Sequence, residues 1–358
     1  MSAAVPAGGR AAARPIAARR VSRVAWLTLG GVVLLGVVLV AGIVLGTVDL
    51  APGTTVAILA HALGLPVPVT WPATSQAIVL DLRLPRILTA MVVGTGLAVA
   101  GATFQGLLRN PLADPYVLGT ASGAALGAAI AVLIPVRTAF LDVGLLNGLA
   151  FVGALLSVTV VYRLSRTSPL APLTSLLLTG YAVGSLLAAG LAMAMYLSGT
   201  GLRQIFAYLL GGFDGTSWAR LAIAAPLVLG GTVLILLRAR TLNGFLLGEE
   251  AAAHLGVDVR KERAILLGLA SLVTAAGVAI AGLIGFVGLV VPHLVRLLVG
   301  PNARVVLPLS ALYGASLLAL ADLVARLLGG IPVGVVTAVI GAPFFLVLLR
   351  RARTGYEL

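Results

Sequence analysis

Residues 83–128 read RLPRILTAMVVGTGLAVAGATFQGLLRNPLADPYVLGTASGAALGA. Two apolar runs of membrane length flank a polar break, Arg109-Asn110-Pro111-Leu112-Ala113-Asp114-Pro115. A turn with two prolines gives up backbone hydrogen bonds that must be recovered elsewhere, and lipid offers no replacement. A segment built only to sit in a bilayer has no need of such a break, so this stretch reads as working machinery.

The rest of the chain has the same character. Of its 358 residues 60% are hydrophobic and only 10% charged, with a mean hydropathy of +1.13. That composition excludes a pair of soluble domains and describes a polytopic membrane protein. With no cysteine, disulfides, thiolate metal sites and cysteine nucleophiles are excluded as well. A hydrocarbon core of about 30 Å takes roughly 20 helical residues. Successive apolar windows predict about ten spans, near 24–46, 85–108, 117–135, 143–162, 172–197, 219–238, 264–283, 285–299, 305–326 and 333–349. As one helix, 264–299 would extend about 54 Å, so it is two spans hinged at Gly282 and Gly285.

The net charge of +13 raises nucleic acid as a partner, but the basic residues fall in clumps between the spans. With the N-terminus in the cytoplasm, the outer segments keep only Arg83, Arg86, Arg137, Arg203, Arg220 and Arg326, and all other basic residues fall inside. This asymmetry is the positive-inside rule, and topology rather than nucleic acid accounts for the charge. Residues 1–23, with five arginines and no acid, read as a basic cytoplasmic tail before a retained first span, since the apolar run that follows is too long for a signal peptide. Residues 24–350 form one transmembrane domain, with a cytoplasmic loop at 239–263 and a cytoplasmic tail at 351–358. Trp26, Trp71 and Trp218 fall near span ends, where amphipathic rings anchor at the interface.

Gly96-Leu-Ala-Val-Ala-Gly101, followed by Gly106 and Pro111, recurs as Gly277-Val-Ala-Ile-Ala-Gly282, followed by Gly288 and Pro292. The copies lie on the second and seventh spans, so they cross the membrane in opposite directions, as in an inverted-repeat transporter; recurring small residues also serve simply as packing notches. Charged side chains collect at span ends and in loops, which disfavours an ion-coupled carrier, the alternative class of transporter. The motif G-x-x-x-x-G-K-[ST] is absent, the sole lysine being Lys261, so any ATP hydrolysis comes from another polypeptide. An intramembrane serine hydrolase would need a pair such as Ser122 and His293, and no activated pair is visible in the sequence.

Two regions have the chemistry of contact sites. In the loop 239–263, Gly248 precedes Glu249-Glu250-Ala-Ala-Ala-His254-Leu255 and Gly256 follows, predicting a short helix with acids at its N-terminus and a glycine stop. Leu246, Leu247 and Leu255 make it a plug for a partner's groove or an interfacial helix. On the outer side, Arg83 and Arg86 flank Leu84-Pro85, and Arg326 ends another span. They suit snorkelling, ion pairs with Asp81 and Asp322, or the carboxylates of a docking protein.

Taken in order, Arg83-Leu-Pro-Arg86, Asn110-Pro-Leu-Ala-Asp-Pro115, Ser122-Gly-Ala-Ala-Leu-Gly, Gly248-Glu-Glu-Ala-Ala-Ala-His-Leu-Gly256, Gly285-Phe-Val-Gly-Leu-Val-Val-Pro-His293, Ala321-Asp-Leu-Val-Ala-Arg326 and Ile331-Pro-Val-Gly334 through Gly341-Ala-Pro343 resemble the FecCD-type permeases. These are the membrane subunits of type II ABC importers for ferric siderophores, haem and cobalamin. The resemblance implies an all-α fold of ten spans in the bacterial or archaeal cytoplasmic membrane, with both termini cytoplasmic. It implies a second permease copy, most simply a homodimer, a cytoplasmic ABC ATPase dimer that holds the ATP and magnesium, and an external substrate-binding protein. The permease itself is then neither an enzyme nor a cofactor carrier. Residue by residue, Arg83, Arg86 and Arg326 match arginines that receive the binding protein. Asn110, Leu112, Thr174 and Ser175 match the cytoplasmic constriction, and Gly248, Glu249, Glu250, His254, Leu255 and Gly256 match the coupling helix that meets the ATPase. The turn Leu328-Gly329-Gly330 is shorter than the family's usual Pro-Glu loop. Among cargoes, ferric siderophore is favoured because it is common in the family.

Overall fold

The computed structural model describes residues 13–134, 144–165 and 173–354. The helices among them are α1 (Ala13–Val44), α2 (Pro52–Ala62), α3 (Ala73–Ala77), α4 (Leu84–Leu107), α5 (Thr120–Leu133), α6 (Gly144–Ser165), α7 (Leu173–Leu197), α8 (Leu202–Leu210), α9 (Trp218–Leu237), α10 (Ala239–Leu246), α11 (Glu249–His254), α12 (Val259–Ala281), α13 (Val287–Val299), α14 (Ala303–Leu327) and α15 (Val333–Thr354). No strand occurs among the described residues. Among the described residues seven stretches are long and apolar enough to cross a membrane: Ser22–Val44, Ala73–Leu107, Gly144–Ser165, Ser175–Leu197, Trp218–Leu237, Val259–Ala281 and Ala303–Leu327. Three shorter apolar helices, Thr120–Leu133, Val287–Val299 and Val333–Leu348, take the remaining expected places.

The all-α, multi-span expectation holds, with four differences in detail. The second span begins at Ala73 rather than at residue 85, because α3, a π-helical turn over Ile78–Arg83 and α4 run on as one helix. Asp81 and Arg83, which precede the span expected from sequence, therefore lie on the helix together with Arg86. The wide turn directly before Leu84-Pro85 accommodates the amide that proline lacks. The connections 45–72 and 198–217 hold α2 and α8, and the loop 239–263 folds into two helices, α10 and α11, rather than one.

The second span is the centre of the molecule, 83% of its most apolar window being buried within the chain. It packs against α9, α12, α13 and α14. Lipid gives helices no hydrophobic reason to associate, so close backbone contact must supply the attraction. Small residues permit it here. A Cβ on Gly94 would overlap the Gly314 carbonyl, and one on Gly101 would overlap the carbonyl of Gly288. Gly101 and Gly288 come from the two copies of the sequence repeat, which therefore pack on each other. Each half also repeats the same order of parts: a long buried helix (α4 or α12), a break, then a short helix (α5 or α13) of 14 or 13 residues. At the other extreme, the windows of α1 and α7 are only 22% and 11% buried, leaving their faces to lipid or to another chain.

Candidate functional site

Functional side chains collect at the two ends of the bundle and at the break between α12 and α13. At one end, α10 and α11 form a compact hook. Gly248, at φ 111°, turns the chain between them, and Gly256, at φ 83°, stops the second helix. Both values lie where a Cβ is strained, which is why glycine holds both turns. The hook is braced against two neighbouring helices. Glu249 pairs with Arg263, and Arg238 Nε meets Glu262 Oε2 at 3.3 Å, tying it to α12. Asn243 donates to Asn302 Oδ1 at 2.9 Å and accepts from the Ala303 amide at 2.7 Å, tying it to the start of α14. Ala252 is buried, whereas Leu247 and Leu255 are 70% and 67% exposed and Glu250 and His254 also face outward. The two leucines leave an apolar surface of the hook uncovered. Of the three leucines expected on its apolar side, Leu246 is half-buried instead.

The segment expected from sequence to form the constriction adjoins this hook. Leu242 packs against Gly106 near the end of α4, and the Arg109 guanidinium lies 3.6 Å from where a Cβ on Gly248 would stand. Arg109 itself has φ 47°, an uncommon conformation for a residue with a Cβ. The next residue, Asn110, is exposed, and its side chain accepts the Leu112 amide at 2.9 Å, closing a local turn. Farther along, Asp114 caps the turn Pro115–Leu118 through the Tyr116 amide at 2.8 Å. Burial pushes the Asp114 carboxyl up to about 6, with the Tyr116 amide working the other way. Gly180 on α7 lies against the Val117 carbonyl. The expected constriction segment and the first turns of α7, where Thr174 and half-buried Ser175 sit, thus share one end of the molecule.

At the opposite end the three expected arginines lie together, but they are not free side chains. Arg83, 5% exposed, donates to the carbonyls of Ile43 at 2.9 Å, Val44 at 2.7 Å and Val48. Arg326, 7% exposed, donates to those of Gly42 and Leu45, each at 3.0 Å. The carbonyls of Gly42 to Leu45 end α1, where no further turn of helix can satisfy them and where the dipole favours cations. Arg326 Nε also donates to Asp322 Oδ2 at 3.1 Å, and Arg86 holds the same carboxylate through Nε at 2.9 Å. The ion-pair reading is therefore built for Asp322 and not for Asp81, which is exposed. The exposure expected of the arginines is corrected: only Arg86 keeps a side chain 19% exposed, and it reaches Asp214 Oδ1 at 2.6 Å.

Asp214 and α8 were not singled out in the sequence. The stretch Leu202-Arg-Gln-Ile205-Phe-Ala-Tyr208-Leu has apolar residues at helical spacing, but it is shorter than a span and so passes as a loop. Its end meets the break after α12. The Gly212 amide donates to Ala281 O at 2.8 Å and the Leu283 amide to Tyr208 O at 3.2 Å. The hydroxyls of Tyr208 and Tyr116 donate to Val278 O and Ile284 O, each at 2.9 Å. Since α13 extends only about 20 Å, this break lies within membrane depth, where freed backbone groups must satisfy one another. Beside it opens a cavity of about 830 Å³, lined in part by Asn147, Gln204, Tyr208, Asp214, Arg220 and Gly282. By contrast, Ser122 and His293 form no nucleophile and base pair: His293 Nε2 has no partner and its ring meets Phe344 edge-on.

A multi-span helical bundle with a broken helix pair at its core, a braced hook at one end and a charged mouth at the other defines a membrane permease. The family model described as the FecCD transport family matches residues 34–351, and the chain belongs to that family, the permease subunits of type II ABC importers. It is 43% identical to the cobalamin import system permease protein BtuC of Halobacterium salinarum over 91% of this chain and 96% of that one. It is also 43% identical to the hemin transport system permease protein HmuU of Yersinia pestis, over 76% and 83%. A solved metal-chelate type ABC transporter in an inward-facing conformation superposes with a TM-score of 0.77 at 34% identity, covering 90% of this chain and 98% of that one.

Proposed function

We propose that the chain is the translocation subunit of an ATP-driven importer that moves a metal chelate across the cytoplasmic membrane, with its N-terminus inside. The observation that carries this reading is the braced hook with exposed Leu247 and Leu255, directly behind the gate segment. In this reading α11, from Gly248 through Glu249, Glu250, His254 and Leu255 to Gly256, enters the groove of a partner ATPase. Its movement reaches the constriction of Asn110, Leu112, Thr174 and Ser175 through Arg109 and α4. Two copies of the chain enclose the path, with the poorly covered α7 facing it. At the outer mouth an external binding protein docks on the cluster of Arg83, Arg86 and Arg326, meeting Arg86 first. Affinity for cargo resides in that protein, because the permease path needs only weak contacts.

For the cargo, the relatives named for cobalamin and for hemin support a metal held in a large planar macrocycle, cobalamin ahead of haem, in place of the ferric siderophore favoured from sequence. The test is uptake of labelled cobalamin, haem and ferric siderophore by cells with and without the gene. Gene-dependent uptake of cobalamin is the expected result; uptake of the siderophore alone would overturn the cargo assignment, and uptake of none would overturn the import reading for all three.

A further inference from the structure

Between Asp49 and Asp81 the chain has no Asp, Glu, Lys or Arg at all. This connection joins α1 to the long second span and lies at the arginine end, outside both. A connection of this length facing water would ordinarily carry several charges, which make up a quarter or more of typical surfaces. Apart from His61 and Thr70, the exposed side chains here are apolar: Val56 is 59% exposed, Leu63 82%, Leu65 55% and Val69 57%. They continue the belt of exposed aliphatic residues that runs along α1 to Val40 and on through Leu45 and Val48 just after it.

Three classes of cover suit an apolar surface: lipid, a soluble partner or a second copy of the chain. Protein interfaces are anchored by exposed aromatic and arginine side chains. This connection has no arginine, and its one large aromatic, Trp71, is 7% exposed, turned inward with Nε1 donating to Gln76 at 3.2 Å. An apolar helix of 10–14 residues suits an interfacial position, and α2 has 11. It is joined to membrane spans on both sides, so it needs no basic face to hold it at the surface. In the extended residues 65–72 the amides of Val69, Thr70 and Trp71 have no partner among the described residues and need water or headgroups, which excludes the hydrocarbon centre.

We infer that residues 50–72 are seated in the headgroup region of the bilayer, with Val56, Leu63, Leu65 and Val69 as the lipid contacts. The inference is independent of cargo and of the ATPase. Its mechanical meaning follows from packing: α2 contacts the π-helical turn Ile78–Arg83, so a lipid-seated α2 fixes the height of Arg83 and Arg86 relative to the membrane surface.

The absence of native cysteine makes the test direct. Val56→Cys, Leu63→Cys and Val69→Cys are spin-labelled singly in the full chain in nanodiscs of phosphatidylcholine and phosphatidylglycerol. Collision with oxygen, which concentrates in lipid, is compared with collision with nickel-EDDA, which stays in water. Val33→Cys on α1 and Glu250→Cys on the hook provide the lipid and water references. The inference expects the oxygen-to-nickel ratio at all three sites to lie well above that of position 250, approaching that of position 33. A ratio equal to that of position 250 would overturn it in favour of water exposure. Low collision with both reagents would overturn it in favour of cover by another protein chain. Because all three positions are exposed, the labels disturb no core, and loss of one variant leaves two.

Discussion

Replacing Asp322 with asparagine should destabilise the protein far more than the same change at Asp214, although both carboxylates bind Arg86. Asp322 is fully buried, with its oxygens held by Arg86 Nε at 2.9 Å, Arg86 Nη2 at 2.9 Å and Arg326 Nε at 3.1 Å. Removing the acid leaves the buried Arg326 guanidinium with no counter-charge and Arg86 with only the exposed Asp214, and breaking a buried pair in this way costs about 3–5 kcal/mol. Asp214 approaches Arg86 at 2.6 Å, but its side chain is 84% exposed, so water takes its place and the loss is about 0–1 kcal/mol. The two variants should thus differ by about two orders of magnitude or more in the unfolding constant. Equilibrium unfolding in mixed micelles measures both, and the double variant gives the coupling through Arg86. If Asp322→Asn and Asp214→Asn fall within about 0.5 kcal/mol of each other, the reasoning about burial is wrong.

Gly101→Val should prevent α4 from seating on Gly288, lowering the folded yield sharply by size-exclusion chromatography, whereas Gly230→Ala, with open space around it, should be tolerated. With the Asp114 carboxyl raised to about 6 from 3.8, the folded state holds that proton more tightly than the unfolded chain; stability from this group should fall as pH rises from about 4 to about 6 and level off above. Asparagine caps as well as aspartate does, so the thermal midpoint of Asp114→Asn, compared with the native chain across that range, should lack this component. Leu247→Asp with Leu255→Asp should leave the permease folded, since both side chains are exposed, while abolishing its co-purification with the partner ATPase; retained co-purification would remove the hook from that role.

Much of this architecture was legible in the sequence because membrane spans announce themselves by length and apolarity. The hinge after α12 could be read from Gly282 and Gly285, and the hook from acids placed between Gly248 and Gly256. What escaped were elements whose signals resemble loops. The helix extends back through Asp81 and Arg83, charged residues that end a span on sequence grounds, and Arg83 and Arg86 are held there by partners distant in the chain, among them Asp322, 236 residues from Arg86. Helices α2 and α8 are too short to register as spans, and α8 depends on backbone partners at 281 and 283. The capping of α1 by Arg83 and Arg326 was hidden for a related reason: the acceptors are main-chain carbonyls, which every residue has and no sequence pattern marks.

The most direct test of ATP-driven import by this permease is labelled cobalamin uptake in cells carrying the chain and its partner ATPase, with the ion gradients collapsed while ATP is maintained, and with ATP depleted while a gradient is imposed. Uptake that persists in the first condition and stops in the second is the expected result. Uptake that follows the gradient instead would contradict it and would make the chain a secondary carrier built on the same inverted pair of broken helices.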